Sequence, residues 1–87
     1  MYYVYVIKNE AGELYYGFTK NLRLRLRQHN NSLSFSTKNR SWKLIYYEVY
    51  LSREDAYDRE INLKHYGQAL SHLKRRIRRS LSKISAG

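Results

Sequence analysis

Apolar and polar positions along this chain change period several times, and each change predicts an element. Tyr2 to Ile7 is almost wholly β-branched or aromatic, as is Leu14 to Phe18, and the polar "KNEAGE" with Gly12 between them predicts a turn and therefore a hairpin. Trp42 to Tyr50, "WKLIYYEVY", is apolar at nearly every position, the pattern of a strand covered on both faces. "NNSLSFSTKNRS" before it predicts a loop, since Ser and Asn compete with the backbone for hydrogen bonds and bring little apolar surface. "SREDAYDREINLKHYG" carries the signals of a helix: Ser52 as N-cap, acids in the first turn, Lys64 and His65 late, Gly67 as a stop. Leu70, Leu73, Ile77, Leu81 and Ile84 then recur at helical spacing, which predicts a basic amphipathic helix over residues 69–84.

The stretch "NLRLRLRQHN", Asn21 to Asn30, fits two elements. Its Leu–Arg alternation is strand-like, but a strand with three arginines on one face belongs only at a sheet edge. Read as a helix, successive side chains turn by about 100°. Leu22, Leu26 and His29 then share a face with Arg25 at its border, and Leu24 is left outside. Thr19 or Asn21 can cap it, and Leu, Arg and Gln have good helix propensity. The helix is the better reading, and it points Arg25 and His29, four apart, the same way.

The expected architecture is α+β, a three-stranded antiparallel sheet flanked by helices, with residues 1–87 as one small domain. Without cysteine, neither disulfides nor cysteine-bound zinc can staple it. The chain begins in strand-like sequence and has no apolar run of membrane-span length, so a cytoplasmic protein is expected. Seventeen Lys and Arg against seven Asp and Glu leave a formal charge of +10, the electrostatic footprint of a nucleic-acid binder. No acid falls between Glu13 and Glu48 or after Glu60. The expected phosphate contacts are Lys20, Arg23, Arg27, Lys38 and Arg40, with Arg75 and Arg76 adding to them. An anionic membrane surface is the blander reading of the same charge, but ten tyrosines interleaved with cations suit bases and phosphates together.

On the wheel of residues 53–66, Ala56, Tyr57, Ile61 and Leu63 define the apolar arc, and Glu60 falls within it. An inward carboxylate is costly unless paired, hydrogen-bonded or holding a cation. A structural ion pair with arginine is one answer; a divalent ion held against a phosphate is the other. Strand parity puts Tyr3 and Tyr5 on one face and Tyr15 and Gly17 on one face, and in a hairpin these faces can coincide. Taken singly, each tyrosine reads as a core ring with its hydroxyl at the surface.

"YVY" at residues 3–5, "YYG" at 15–17, "NLRLRLRQH" at 21–29 and "AYDREINLK" at 56–64, in this order, resemble the GIY-YIG nuclease superfamily and in particular its small stand-alone members. The resemblance covers residues 1–67. It implies the three-stranded fold and metal-dependent endonucleolytic hydrolysis of DNA phosphodiesters, with DNA repair or recombination as the expected setting. Carried over by position, it makes Tyr5, Tyr15, Arg25, His29 and Glu60 the catalytic residues, with Glu60 holding a single Mg²⁺ or Mn²⁺. Tyr3 stands where the family name has Gly, Tyr16 where it has Ile, and Leu24 where close relatives often carry a second arginine. The resemblance suggests Tyr5 as general base, assisted by His29 or Tyr15. A phenol's ordinary pKa near 10 would then have to be lowered by neighbouring cations or the metal. A catalytically silent DNA- or RNA-binding module on the same fold is the alternative, and no obligate protein partner is implied.

Overall fold

The structure is a computed structural model that describes residues 1–31 and 40–86, residues 83–86 by backbone alone. The predicted loop from residue 32 to residue 39, Lys38 included, and the side chain of Ile84 lie outside the described residues. Strands β1 (Tyr2–Asn9), β2 (Leu14–Thr19) and β3 (Trp42–Tyr50) form an antiparallel sheet in the order β2-β1-β3. Helix α1 (Leu22–Asn30) follows β2, and α2 (Arg53–His65), α3 (Gly67–Arg76) and α4 (Arg78–Ala86) follow β3. This is the expected α+β fold.

The strand covered on both faces is β1, where Val4, Tyr5, Val6 and Ile7 are all buried, and not β3 as its composition suggested. β3 is an edge strand, and Tyr47 and Val49 are 51% and 44% exposed. A bulge opposite Val6 and Ile7 pairs Val6 with Tyr46 and Ile7 with Leu44, inserting Ile45. Alternation along β1 then divides the core. Val4 and Val6 face Ala56 and Leu63 of α2, Leu73 of α3 and Ile77. Tyr5 and Ile7, with Trp42, face Leu22 and Leu26 of α1.

Asn9 organises the hairpin turn. Its Oδ1 accepts the backbone N–H groups of Ala11 and Glu13, its Nδ2 donates to the Glu13 carboxylate, and Gly12 takes the positive φ of 85°. Asn30 ties the end of α1 to β3, accepting from the Trp42 N–H at 2.6 Å and donating to its carbonyl at 2.9 Å.

Ser52 caps α2 as expected, its hydroxyl accepting from the Asp55 N–H. Gly67 does not stop that helix: extended Tyr66 ends it, and Gly67 opens α3. Nor is the basic C-terminal segment one helix over 69–84. Ile77, at φ −109° and ψ 24°, interrupts it. Leu73, Ile77 and Leu81 still reach the same core, and Lys8 Nζ fastens α4 by donating to the Leu81 carbonyl.

Candidate active site

Asn21 caps α1, its side chain accepting from the Leu24 N–H, while its own N–H donates to Thr19 Oγ1. The cap starts the helix directly after β2 and sets its rotation. Leu22 and Leu26 turn to the sheet, Leu24 outward at 44% exposure, and His29 is fully buried against β1. The helical reading of the arginine-rich stretch holds. Tyr5 Oη and His29 Nε2 are hydrogen-bonded at 2.8 Å. The Tyr15 ring stands edge-on to His29, centroids 5.0 Å apart, and to Trp42 at 6.2 Å. Directly across from Tyr5 in β2 is Gly17, where a Cβ would stand 2.5 Å from the Tyr5 hydroxyl oxygen. Only glycine leaves the phenol this space.

Burial pushes the Tyr5 phenol up to about 12, although the Arg25 guanidinium beside it pulls the other way. The charges of Tyr15 and Glu60 act on it weakly in the raising direction. This corrects the expectation of a phenol acidified by neighbouring cations, because desolvation outweighs Arg25. Burial, and then the charge of Arg25, pull His29 down to about 4, so the imidazole is neutral at pH 7. Arg25 is half-buried and donates to Gln28 Oε1 at 3.1 Å.

Glu60 has a side chain 13% exposed, as its inward place on the wheel required, but its ion-pair partner is Lys64, one turn on at 3.5 Å, and not an arginine. Lys64 Nζ also lies 5.4 Å from the Tyr15 ring centroid. Its i,i+4 spacing from Glu60 was legible in the sequence; its place over Tyr15 depends on how α2 meets the sheet. A second, partly buried ion pair of α2 belongs to Arg59, whose fork grips the Glu48 carboxylate at 3.0–3.2 Å. Tyr46 and Tyr50 each donate to the same carboxylate at 2.5 Å. Burial alone would raise the Glu48 carboxyl, but the hydrogen bonds from Arg59 and the two tyrosines hold it below the usual range.

The candidate phosphate contacts do not gather on one surface. Lys20 and Arg23 line a cavity beside the start of α1, and Arg27 is exposed on the same helix. Arg40 pairs with Glu10 at 3.2 Å and Glu13 at 3.8 Å across the hairpin turn. Arg75 and Arg76 ride on α3, in the helical layer on the other side of the sheet.

Taken with this sheet and the cluster at Tyr5, sequence comparison defines the class. Residues 1–72 match the GIY-YIG catalytic domain, and the chain belongs to the GIY-YIG family, within the nuclease superfamily of that name. Its relatives include UPF0213 proteins. One from Staphylococcus epidermidis is 33% identical over 67 residues, 75% of this chain and 82% of the relative. One from Clostridium perfringens is 38% identical over 66 residues, 74% of this chain and 71% of the relative. No solved structure matches the chain significantly. Among the described residues, no helix is long and apolar enough to cross a membrane.

Proposed function

We propose that this protein is a metal-dependent endonuclease that hydrolyses DNA phosphodiester bonds at the cluster around Tyr5, in DNA repair or recombination. What supports the reading is the 2.8 Å hydrogen bond between Tyr5 and a buried His29 that is neutral at pH 7, with Arg25 and Glu60 acting on the same hydroxyl. A protonated phenol is a poor base alone. In the tautomer that leaves His29 Nε2 bare, Tyr5 donates its proton to His29 as it takes one from the attacking water. The depressed pKa keeps the imidazole neutral at pH 7 but also makes it a weaker base, so the transfer relies on the 2.8 Å geometry and not on the shift. Arg25 presents a planar fork to the nonbridging oxygens, where negative charge grows in the transition state. The Tyr15 ring, itself packed edge-on against Trp42, stands edge-on to the imidazole, which is fully buried.

No group of three or more carboxylate, histidine or cysteine side chains among the described residues could form a protein cage for a metal. Glu60 is a hard oxygen donor whose ion-pair partner among the described residues is a partly exposed lysine, and one such ligand fits an ion that keeps mostly water and phosphate oxygens around it. When bound there, Mg²⁺ or Mn²⁺ would neutralise charge on the leaving oxygen.

The deciding assay incubates the protein with branched, flapped and linear DNA plus Mg²⁺, beside Glu60→Gln. Glutamine keeps the size and hydrogen-bonding capacity of Glu60 and gives up its i,i+4 pair with the partly exposed Lys64, so the variant stays folded while cleavage collapses. Arg25→Ala lowers cleavage far more than binding, because its contact strengthens in the transition state. Full cleavage by folded Glu60→Gln removes Glu60 from the site. Metal-independent binding without any product identifies the silent module.

A further inference from the structure

Helix α1 covers only part of the sheet face that carries Tyr5. Leu22 and Leu26 pack toward Tyr5, Ile7, Leu44 and Trp42. Beyond them, among the described residues, no helix packs over the face: Tyr47 lies across from Tyr5 and Val49 across from Tyr3, and both β3 side chains are about half exposed. Tyr3 and Tyr47 meet edge to face, centroids 6.0 Å apart at 71°. They line an open cavity of about 500 Å³ whose other walls include Leu26, Leu44, Lys20 and Arg23. Arg23 and Arg25 project from different sides of α1, so this cavity flanks the helix away from the catalytic arginine.

An exposed tyrosine is commonly the outer rim of a core. Here two tyrosines, three leucines and two cations line a volume in the range of small-ligand sites. A second copy of the chain is disfavoured by Lys20 and Arg23 at the mouth and a formal charge of +10 on each molecule. The same cations favour a polyanion that also has flat apolar faces. Aromatic floor with cationic rim is the combination that stacks a base and holds its phosphates. A base inside a duplex has both faces covered by its neighbours, whereas an unpaired base has a face to offer.

We infer that the Tyr3–Tyr47 cavity is a docking subsite for an unpaired nucleobase, with Lys20 and Arg23 on the adjacent phosphates. It thereby selects nucleic acid with single-stranded character for the neighbouring Tyr5 cluster. This rests on the nuclease reading for its ligand class, but not on which residues cleave.

The test measures binding without divalent ions, so that nothing is cut. The probes are a short oligothymidylate and an abasic phosphodiester chain of the same length and charge. The wild-type protein should bind the oligothymidylate on the order of ten-fold more tightly, the effect of one stacked base. Tyr47→Ala should erase that preference while leaving the abasic affinity unchanged, and Tyr47→Phe and Tyr47→Trp should keep it. A 2-aminopurine placed in the oligonucleotide should be quenched by wild type and not by Tyr47→Ala. Equal affinity of wild type for the two chains overturns the subsite, as does a preference that survives Tyr47→Ala. Sedimentation showing a dimer that Tyr47→Ala dissociates overturns it in favour of self-association. Mg²⁺-dependent cleavage with no base preference defeats the subsite and spares the nuclease. Base preference without cleavage defeats the nuclease and spares the subsite.

Discussion

Burial favours the neutral form of both partners in the Tyr5–His29 hydrogen bond. That state has a pH signature. His29 titrates near 4 in the folded chain against an ordinary 6.5, so between those values the unfolded chain binds more protons. The stability contributed by keeping His29 neutral is therefore fully present above about pH 6.5 and lost as pH falls toward 4. Tyr5 behaves in the mirror sense, its raised pKa contributing stability that is lost as pH climbs from 10 through about 12. Thermal melts across pH 7 to 5 should fall steadily in wild type. His29→Gln, whatever its melting temperature at pH 7, should show a flatter slope over that window, because the lowered carboxyls of Glu10, Glu48 and Glu54 titrate below it. An unchanged slope would place the titrating group elsewhere.

At the level of elements, two contacts decide how the strands and helices meet, and they fail in different ways. Gly17 lets β2 run directly beside the Tyr5 phenol. Gly17→Ala puts a methyl 2.5 Å from a hydroxyl that is itself held by His29, so the phenol must move. Displacement of about 1 Å costs on the order of 10²-fold in rate, and cleavage should fall by that much with the variant still folded. Wild-type turnover by Gly17→Ala would mean that the phenol's position is immaterial. Glu48 instead joins β3 to α2 through Arg59. Glu48→Ala leaves a partly buried guanidinium without its partner, which costs about 3 kcal/mol, a large part of the stability of a domain this size. Its melting temperature should fall by more than 10 °C, since each kcal/mol shifts a domain of this length by about 4–8 °C. A melt within a degree or two of wild type would mean that α2 is held by its apolar contacts alone.

Over the whole molecule the charge is divided, with Lys20, Arg23 and Arg27 near α1 on one side of the sheet and Arg75 and Arg76 on α3 on the other. A short oligonucleotide seated at the Tyr5 cluster meets only the first group. Its affinity should fall with salt at a log–log slope of about −0.9 per phosphate contact on duplex DNA, and Arg23→Ala should reduce the slope by about one contact. Arg75→Ala with Arg76→Ala should leave the slope for short duplexes unchanged and alter it only for duplexes long enough to reach α3. A slope that drops equally for both groups on short duplexes would show that the two basic surfaces act as one.

Local chemistry carried much of this in the chain itself. The β-branched hairpin strands, the Ser52 cap, a cap at Thr19 or Asn21, the one-turn relation of Arg25 to His29 and the inward place of Glu60 all follow from period and propensity, which depend on neighbours in sequence. The order of the strands does not. "WKLIYYEVY" reads as a strand covered on both faces, yet Tyr2–Asn9 takes the centre, because only pairing on both edges decides which strand is covered twice. Tyr47 and Val49 are left in the open for the same reason. A continuous heptad-like run predicted one helix where Ile77 divides two, since curvature over a sheet is a property of the packed assembly. The pairing of Arg59 with Glu48 across to β3, and the direction of the Tyr5 shift, were likewise decided by tertiary contact: both turn on which charges lose their water together, and desolvation is set by what folds over a side chain, not by its neighbours along the chain.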